Sequence, residues 1–522
     1  MLNVESNFTW LDWGIVAGYL SVTVVIGIYV NRFIGNMADY VVAGRSLGTF
    51  IGVATMTGTE LGLVTVMYAA QKGFTGGFAA FHIGLAAGVV SLIVGLTGFI
   101  VVPLRRMKVM TIPEFYGKRF GNGVRVYGAL LLAGAGILNM GMFLKAGAIF
   151  VTALTGLNDP FYVQVVMTVL IVLVLVYTIL GGMVSVVITD YLQFIVLSFG
   201  MLLACFFAVR NLGWDSITKT VSTVHGQAGF SPLDSEGFGP SYIVWMLFVA
   251  GLVSCAVWQT AVMRSCAAEN EQVVRRLYIW SSIGFLVRFL LPQFLGICAL
   301  AYFWHTSEGR AVLFTSEGLP IDDAELTMSA LPLFLSQVLP AGLIGVIGAG
   351  MLAAFMSTHD SYLLCWASVL VEDVAGPLSK GRLSTAARLM LARVFIFLIG
   401  LFLLVWSLWY PLGQDLWDYM AVTGAIYFIG ATALLVFGIY WKRASRAGAY
   451  LALTSGLLAV LGLDPIKNAV GLDRLEKSLG FNLSEAHIGL FATAAAIVLM
   501  VVGSLLLPDR CPSDMSKQES TT

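Results

Sequence analysis

Long, continuous stretches of apolar residues alternate with short polar segments along nearly the whole chain. A stretch of roughly 20 apolar residues can cross the hydrocarbon core of a bilayer as a helix. The stretches lack the two-residue alternation of a membrane barrel, so they favour helices over strands. The pattern predicts thirteen spans, near residues 12–34, 47–70, 76–102, 125–156, 161–181, 184–209, 241–263, 278–304, 340–371, 386–410, 416–440, 447–463 and 486–507.

Bulk composition supports a helical membrane protein. Of the 522 residues, 58% are hydrophobic and 11% are charged, whereas about 25% of an average soluble domain is charged. The net charge is zero and no basic tract stands out, so nucleic acid is not expected as a partner. The chain begins without a basic segment or a small-residue cleavage site, so we expect the first span to be retained.

Basic residues follow alternate spans, which predicts the orientation. The loops 210–240 and 305–340, on the opposite side, are acidic or neutral. The N-terminus is therefore expected outside and the C-terminus in the cytoplasm, in a multi-pass protein of the plasma (inner) membrane. The basic groups are Arg105, Arg106, Lys108, Lys118, Arg119 and Arg125 after span 3, Arg264, Arg275 and Arg276 after span 7, Lys380, Arg382, Arg388 and Arg393 after span 9, and Lys442, Arg443 and Arg446 after span 11.

The ninth span carries a polar cluster, Ser357-Thr358-His359-Asp360, in its middle. Polar groups at that depth are costly because lipid offers them no partners. Hydroxyl oxygens beside a carboxylate suit a small hard cation, so the cluster predicts an ion site. The alternative is that Ser357 and Thr358 hydrogen-bond the carbonyls four residues earlier in their own helix.

Two other spans contain signals of a broken helix. In span 2, glycines and hydroxyl residues surround Glu60, and unwound backbone at membrane depth can line a cavity and coordinate Na⁺. In span 7, Gly251 is followed by Trp258-Gln259-Thr260. These spans lie five helices apart, the spacing expected of inverted-topology repeats.

Five short motifs, in order and on matching spans, carry a family resemblance. Over roughly residues 10–460 the chain resembles the sodium/solute symporters, which include bacterial proline, sugar and sialic-acid carriers. The motifs are Gly44-Arg45-Ser46-Leu47-Gly48, Gly181-Gly182-Met183, Thr189-Asp190-Tyr191-Leu192-Gln193, Ala353-Ala354-Phe355-Met356-Ser357-Thr358, and Trp441-Lys442-Arg443 with Gly448-Ala449.

The resemblance implies an all-α, leucine-transporter-like fold of two inverted five-helix repeats within 13 transmembrane helices. We therefore expect a single transport domain over 1–522. Its parts would be an extra N-terminal helix at 12–34, repeat 1 at 47–209, repeat 2 at 241–440, two extra helices within 447–507 and a disordered cytoplasmic tail at 508–522.

The resemblance also implies a sodium site that joins spans 2 and 9. Its ligands would be the backbone carbonyls of Gly58, Leu61 and Ala354 and the hydroxyls of Ser357 and Thr358. Asp190 matches a carboxylate that helps hold a further sodium in some relatives, and Asp360 and Ser361 take the facing positions. A carboxylate at 360, where related carriers have a hydroxyl, is a departure, so this group is either a second cation site or a gate.

The substrate is expected near mid-depth, among Glu60, Lys145, Gln259 and Arg288, with Trp258 matching a sugar-binding position of relatives. Arg288 could clamp a substrate carboxylate through two hydrogen bonds. The alternative is a structural Glu60–Arg288 ion pair. No other metal pattern stands out.

The predicted function is sodium-coupled symport of a small organic solute, an amino acid or a monocarboxylate, by alternating access, with Na⁺ as the coupling ion. The expected partners are this solute, sodium and the lipid bilayer, and a monomer would suffice. Proton coupling, favoured by Glu60, Asp360 and the histidines, and a transport-derived sensor are the alternatives. An enzyme is not expected, because the sequence has no nucleophile–base pairing or phosphate-binding loop.

Overall fold

A computed structural model of the chain describes residues 6–30, 47–157, 159–472, 474, 476 and 483–509. Side chains at 23, 24, 26–30, 59, 177 and 180–194 lie outside this description. The regular structure in the described part is helical. The helices are α1 (Trp10–Val30), α2 (Thr49–Glu60), α3 (Leu63–Gly76), α4 (Phe81–Thr97), α5 (Val101–Arg106), α6 (Ile112–Phe120), α7 (Asn122–Asn139), α8 (Phe143–Thr155), α9 (Pro160–Leu212), α10 (Trp214–His225), α11 (Gly239–Met246), α12 (Gln259–Ala267), α13 (Glu271–Trp304), α14 (Ser307–Leu313), α15 (Ala324–Val338), α16 (Leu343–Val369), α17 (Thr385–Trp409), α18 (Leu416–Tyr440), α19 (Arg446–Ser455), α20 (Asp464–Val470) and α21 (Glu485–Leu506).

Apolar helices lie at most of the thirteen predicted spans within the described residues. Nine helical segments in the described ranges are long and apolar enough to cross a membrane, or ten if the bent pair Arg446–Gly462 and Asp464–Val470 is one span. The shorter apolar helices Thr49–Gly58 and Pro160–Val176 lie within further predicted spans. The thirteen spans and the inverted repeats stay predictions.

The fifth and sixth predicted spans form one helical element, α9, of 53 residues. A straight helix from residue 160 to residue 200 would rise about 60 Å. Yet Leu154, just before α9, would touch a Cβ at Gly348, and a Cβ at Gly200 would touch Ile347. Leu154 lies only six residues before α9, so residue 160 cannot be 60 Å from residue 200, and α9 turns back within its length.

The predicted break in span 2 is present between α2 and α3. Leu61 still donates its N–H to Thr57 O at 2.8 Å, but Gly62 is extended, with φ −90° and ψ 169°. The Thr65 hydroxyl donates to Glu60 O at 2.7 Å and so satisfies a carbonyl that the break removes from the helical ladder. The break therefore exposes backbone at mid-span without leaving that carbonyl unpaired.

The second predicted break is also present, at Trp258. A π-helix over Leu247–Val257 follows α11, and Trp258 is extended, with φ −73° and ψ 126°, before α12 begins. Its N–H bonds Val253 O at 2.8 Å, five residues back. Such widened turns commonly mark functional positions in helices.

Glycines bring α3 and α13 into backbone contact. A Cβ at Gly73 would overlap the Gln293 carbonyl, and a Cβ at Gly296 would overlap the Ala70 carbonyl. Small residues permit such close approach between membrane helices. Gln293 also donates to Ala80 O at 2.9 Å. The helix after the first break is therefore held tightly against α13.

Candidate functional site

A cavity of about 70 Å³ lies where both helix breaks meet α13, α16 and α18. Aromatic rings form much of its wall, and one ion pair supplies its charge. The lining residues are Glu60, Val64, Thr65, Tyr68, Asn139, Phe143, Val249, Val253, Ser254, Trp258, Arg288, Thr358, Tyr362, Trp417, Met420, Ala421, Gly424 and Phe428.

Glu60 and Arg288 form a buried ion pair in this cavity. Arg288 Nη1 lies 2.6 Å from Glu60 Oε2, and the side chains are 3% and 11% exposed, respectively. Arg288 Nη2 donates to Ser254 Oγ at 2.9 Å. The guanidinium carbon stands 4.4 Å from the ring centre of Phe285, an arrangement that favours a cation. This geometry matches the alternative of a Glu60–Arg288 ion pair, and both residues also line the cavity.

Thr358 faces the first helix break. A Cβ at Gly62 would overlap Thr358 Oγ1, so the hydroxyl occupies the space that glycine leaves at the break. Ser357, Thr358 and Ala354 are all buried in α16. The structure thus brings one predicted ligand, the Thr358 hydroxyl, beside the backbone of Gly62.

Ser357 and Thr358 do not use their hydroxyls inside the helix. Both hydroxyl oxygens are buried and have no hydrogen-bond partner among the described residues. Two other buried threonines do bond back to their own helix, Thr152 to Ala148 O at 2.9 Å and Thr423 to Tyr419 O at 2.8 Å. A buried hydroxyl without a partner is costly, so these two oxygens fit a cation that accepts their lone pairs.

The described residues include only part of the group that was predicted to be a second cation site or a gate. Asp360 and Ser361 are buried in α16, whereas the Asp190 side chain lies outside the described residues. Buried Arg264 donates to Ser361 Oγ at 3.3 Å and to Thr260 O at 2.8 Å. The second cation site and the gate both stay predictions.

Of the three remaining predicted substrate residues, only Trp258 lines the cavity. Trp258 lines the cavity and donates its indole N–H to Tyr362 OH at 3.0 Å. Gln259 points elsewhere, accepting from the N–H of Ile112 at 2.9 Å. Lys145 pairs with Glu325 at 2.7 Å, and Glu325 lines a different cavity, of about 560 Å³. Neither Gln259 nor Lys145 is among the cavity residues given above, and their role in substrate binding stays a prediction.

With this geometry established, comparison with known proteins decides the family. A profile described as the sodium:solute symporter family matches residues 40–456. The chain belongs to the sodium:solute symporter family.

The symporter is similar to characterised transporters over most of its length. It is 25% identical over 491 residues to the sodium/proline symporter of Staphylococcus aureus strain Newman, covering 88% of this chain and 87% of the relative. Its fold is similar to a Na⁺-coupled sialic acid symporter in a substrate-bound, outward-open state, with TM-score 0.77, 21% identity, and coverage of 96% and 100%. MhsT in complex with L-phenylalanine has TM-score 0.55, 12% identity, and coverage of 88% and 99%.

Family membership confirms several predictions from the sequence. The protein is a transporter and not an enzyme, Na⁺ is its coupling ion, and it carries a small molecule. Its many apolar helices make it a multi-pass protein of the plasma membrane. The predicted resemblance to sodium/solute symporters is also confirmed.

A buried charge cluster at one end of the symporter's cavity was missed in the sequence. Lys72 Nζ lies 2.8 Å from Asp415 Oδ2 and 2.5 Å from Asp418 Oδ2, and Tyr242 donates to Asp418 Oδ1 at 2.8 Å. Tyr68, one helical turn before Lys72, and Trp417, next to Asp418, both line the cavity, and their ring centres are 4.7 Å apart. The cluster links α3 to the start of α18, next to this aromatic contact. The predicted spans gave little signal of this cluster, because Lys72 and Asp415 fall between spans and only Asp418 lies within one.

Replacing Lys72 with glutamine should destabilise the symporter strongly. Two carboxylates would then face each other without an ammonium group, and breaking a buried ion pair costs about 3–5 kcal/mol. Thermal unfolding of purified protein measures the effect. The control is Arg106→Gln, because Arg106 and its partner Glu271 are 68% and 44% exposed and exposed pairs contribute little. Equal melting temperatures in the two variants would contradict a structural role for the Lys72 cluster.

Proposed function

We propose that the protein carries a small, carboxylate-bearing solute, an amino acid or a monocarboxylate, together with Na⁺ by alternating access. The observation that carries this proposal is the pair of partnerless hydroxyls of Ser357 and Thr358, of which Thr358 lies at the helix break and lines a cavity that contains a Glu–Arg pair. The ion and the solute would then bind side by side. Each would contact the residues on either side of the break.

The proposed sodium ligands are the carbonyls of Gly58, Leu61 and Ala354 and the hydroxyls of Ser357 and Thr358. The position of Thr358 against Gly62 supports this set, because it joins α16 to the break in the α2–α3 helix. Oxygen ligands without net charge suit a monovalent cation that must be released on the other side. Sodium that bridges the two helices would hold the break in the shape that binds solute.

The proposed solute-binding groups are Arg288, Glu60 and Trp258. Arg288 would bind a carboxylate, and Glu60 would accept from a solute ammonium group, so an amino acid complements both charges. Proline, the solute named for the S. aureus relative, is the first candidate. A cavity of about 70 Å³ is well below the several hundred cubic ångströms of typical ligand pockets, so binding requires the walls to move apart.

We propose the orientation given by the basic loops, with the N-terminus outside and the C-terminus inside. Inward movement of one Na⁺ across about 100 mV releases about 2.3 kcal/mol. A tenfold sodium gradient adds about 1.4 kcal/mol, so one ion could support roughly 500-fold accumulation of a neutral solute. Sodium and solute must each tighten the binding of the other by the same factor.

Uptake into proteoliposomes tests the proposal. We expect an inward Na⁺ gradient to drive uptake of labelled proline or another amino acid, and a pH jump in sodium-free buffer to drive none. A prior thermal-shift screen against amino acids and monocarboxylates, with and without Na⁺, selects the solute, because a ligand that binds only the folded state raises the melting temperature. A screen in which only solutes without a carboxylate stabilise the protein would refute the proposed substrate class.

A further inference from the structure

A second cavity lies between α2, α9 and α13, and Arg288 lines both this cavity and the solute cavity. The volume of the second cavity is about 610 Å³. Its lining on α2 includes Phe50, Val53 and Thr57, which lie along one face of the helix, and Ser198 and Met201 of α9 form part of its wall. The α13 side is a second stripe at helical spacing, Trp280, Ile283, Val287 and Leu291.

The rim of this groove is apolar and exposed at membrane depth. Phe50 is 75% exposed, Trp280 60% and Ile283 57%. In a membrane-spanning protein such side chains contact hydrocarbon. The stretch of α13 from Trp280 to Leu291 rises about 16 Å at 1.5 Å per residue. That length matches one leaflet of a hydrocarbon core about 30 Å thick.

A basic residue stands at the open end of the groove. Arg276 lies one helical turn before Trp280 on the same face of α13, is exposed, and forms no ion pair with any described residue. An aromatic residue followed outward by a basic residue is the usual arrangement at the boundary between hydrocarbon and headgroups. A cation here attracts an anionic lipid headgroup.

We propose that this groove binds one acyl chain of an anionic phospholipid from the leaflet next to Arg276, with the lipid phosphate at the Arg276 guanidinium. The chain would lie against Val53 and Thr57 of α2, and its end would reach the level of Leu61 and Leu291. Val53 and Thr57 belong to α2, the half-helix that ends at the break where the sodium site is proposed. Occupancy of the groove therefore places lipid in direct contact with that half-helix.

Photolabelling in membranes tests this site without requiring transport. The symporter is reconstituted in phosphatidylcholine vesicles that contain a minor fraction of phosphatidylglycerol with a diazirine near the end of one acyl chain. After irradiation, the labelled residues are located by peptide mass spectrometry. We expect labels on the groove faces of α2 and α13. A phosphatidylcholine probe with the same chain should label them less.

Matched variants separate the groove from the general lipid surface. Val53→Trp, which fills the groove floor, should abolish groove labelling, and Ser198→Phe, which fills it from α9, should do the same if the first variant folds poorly. Val89→Trp is the control, since Val89 lies on α4 and is 51% exposed. Arg276→Gln should remove the preference for phosphatidylglycerol. Arg275→Gln should keep it, because Arg275 donates to Leu96 O at 2.6 Å.

Two results would overturn the proposal. One is groove labelling that survives both Val53→Trp and Ser198→Phe in folded protein. The other is equal labelling of the groove by the two probes in the unaltered protein, which would show hydrocarbon contact without a lipid site.

Discussion

Replacing Thr358 with valine should raise the sodium concentration needed for half-maximal uptake by about tenfold to a hundredfold. Valine keeps the shape of threonine and removes one proposed ligand oxygen. A charge-assisted contact of this kind contributes about 1.5–3 kcal/mol, and each 1.4 kcal/mol is a factor of about ten in affinity. Ser357→Ala should act in the same direction. The measurement is initial uptake against external Na⁺ in proteoliposomes.

Two variants control for packing effects. Thr358→Ser keeps the hydroxyl and should keep most of the sodium affinity. Thr152→Val removes a buried hydroxyl that bonds within its own helix and should leave the sodium dependence unchanged. Sodium dependence equal to that of the unaltered protein in both Thr358→Val and Ser357→Ala would exclude these hydroxyls as ligands.

Neutralising either member of the Glu60–Arg288 pair should abolish solute uptake. Glu60→Gln leaves a buried guanidinium without its carboxylate, and Arg288→Gln leaves the reverse. Either loss costs about 3–5 kcal/mol in a buried pair, and both remove a charge that faces the cavity. Uptake of the solute selected by thermal shift, together with its binding, is measured in each variant.

The double variant Glu60→Gln/Arg288→Gln separates a structural pair from a binding pair. If the two charges only neutralise each other, removing both should restore folding and uptake together, as in a mutant cycle with strong coupling. If Arg288 binds the solute carboxylate, the double variant should regain thermal stability yet remain unable to bind solute. We expect the second outcome. Restored uptake would remove both residues from the binding model.

The helix breaks were predictable because their causes are local. Glycine and hydroxyl residues around Glu60, and an aromatic residue after Gly251, are features of the chain itself. The chain departs from helical geometry at Gly62 and Trp258, within these segments. The polar cluster of span 9 was likewise recognisable, since hydroxyls in an apolar run need a partner that the run does not contain.

Partner choice between distant residues was not predictable from the sequence. Lys145 and Lys72 both lie in helices next to the solute cavity, yet Lys145 pairs with Glu325 and Lys72 pairs with Asp415 and Asp418. Which of them faces a solute depends on helix rotation and on contacts hundreds of residues apart. Spacing along one span carries no such information. The same limit applies to Gln259, which the fold turns towards the Ile112 N–H.

The backbone contacts at Gly73 and Gly296 have a mechanical consequence. Because α3 and α13 meet through main-chain atoms, the two cannot slide past each other by changing rotamers. By contrast, α2 touches α13 through side chains, as where Thr57 packs on Gly284. Of the two halves of the broken helix, α3 is therefore fixed against α13, whereas α2 is not. We expect the twelve residues of α2 to tilt about Leu61 and Gly62 during transport, and sodium bound at the proposed site would hold them in one orientation.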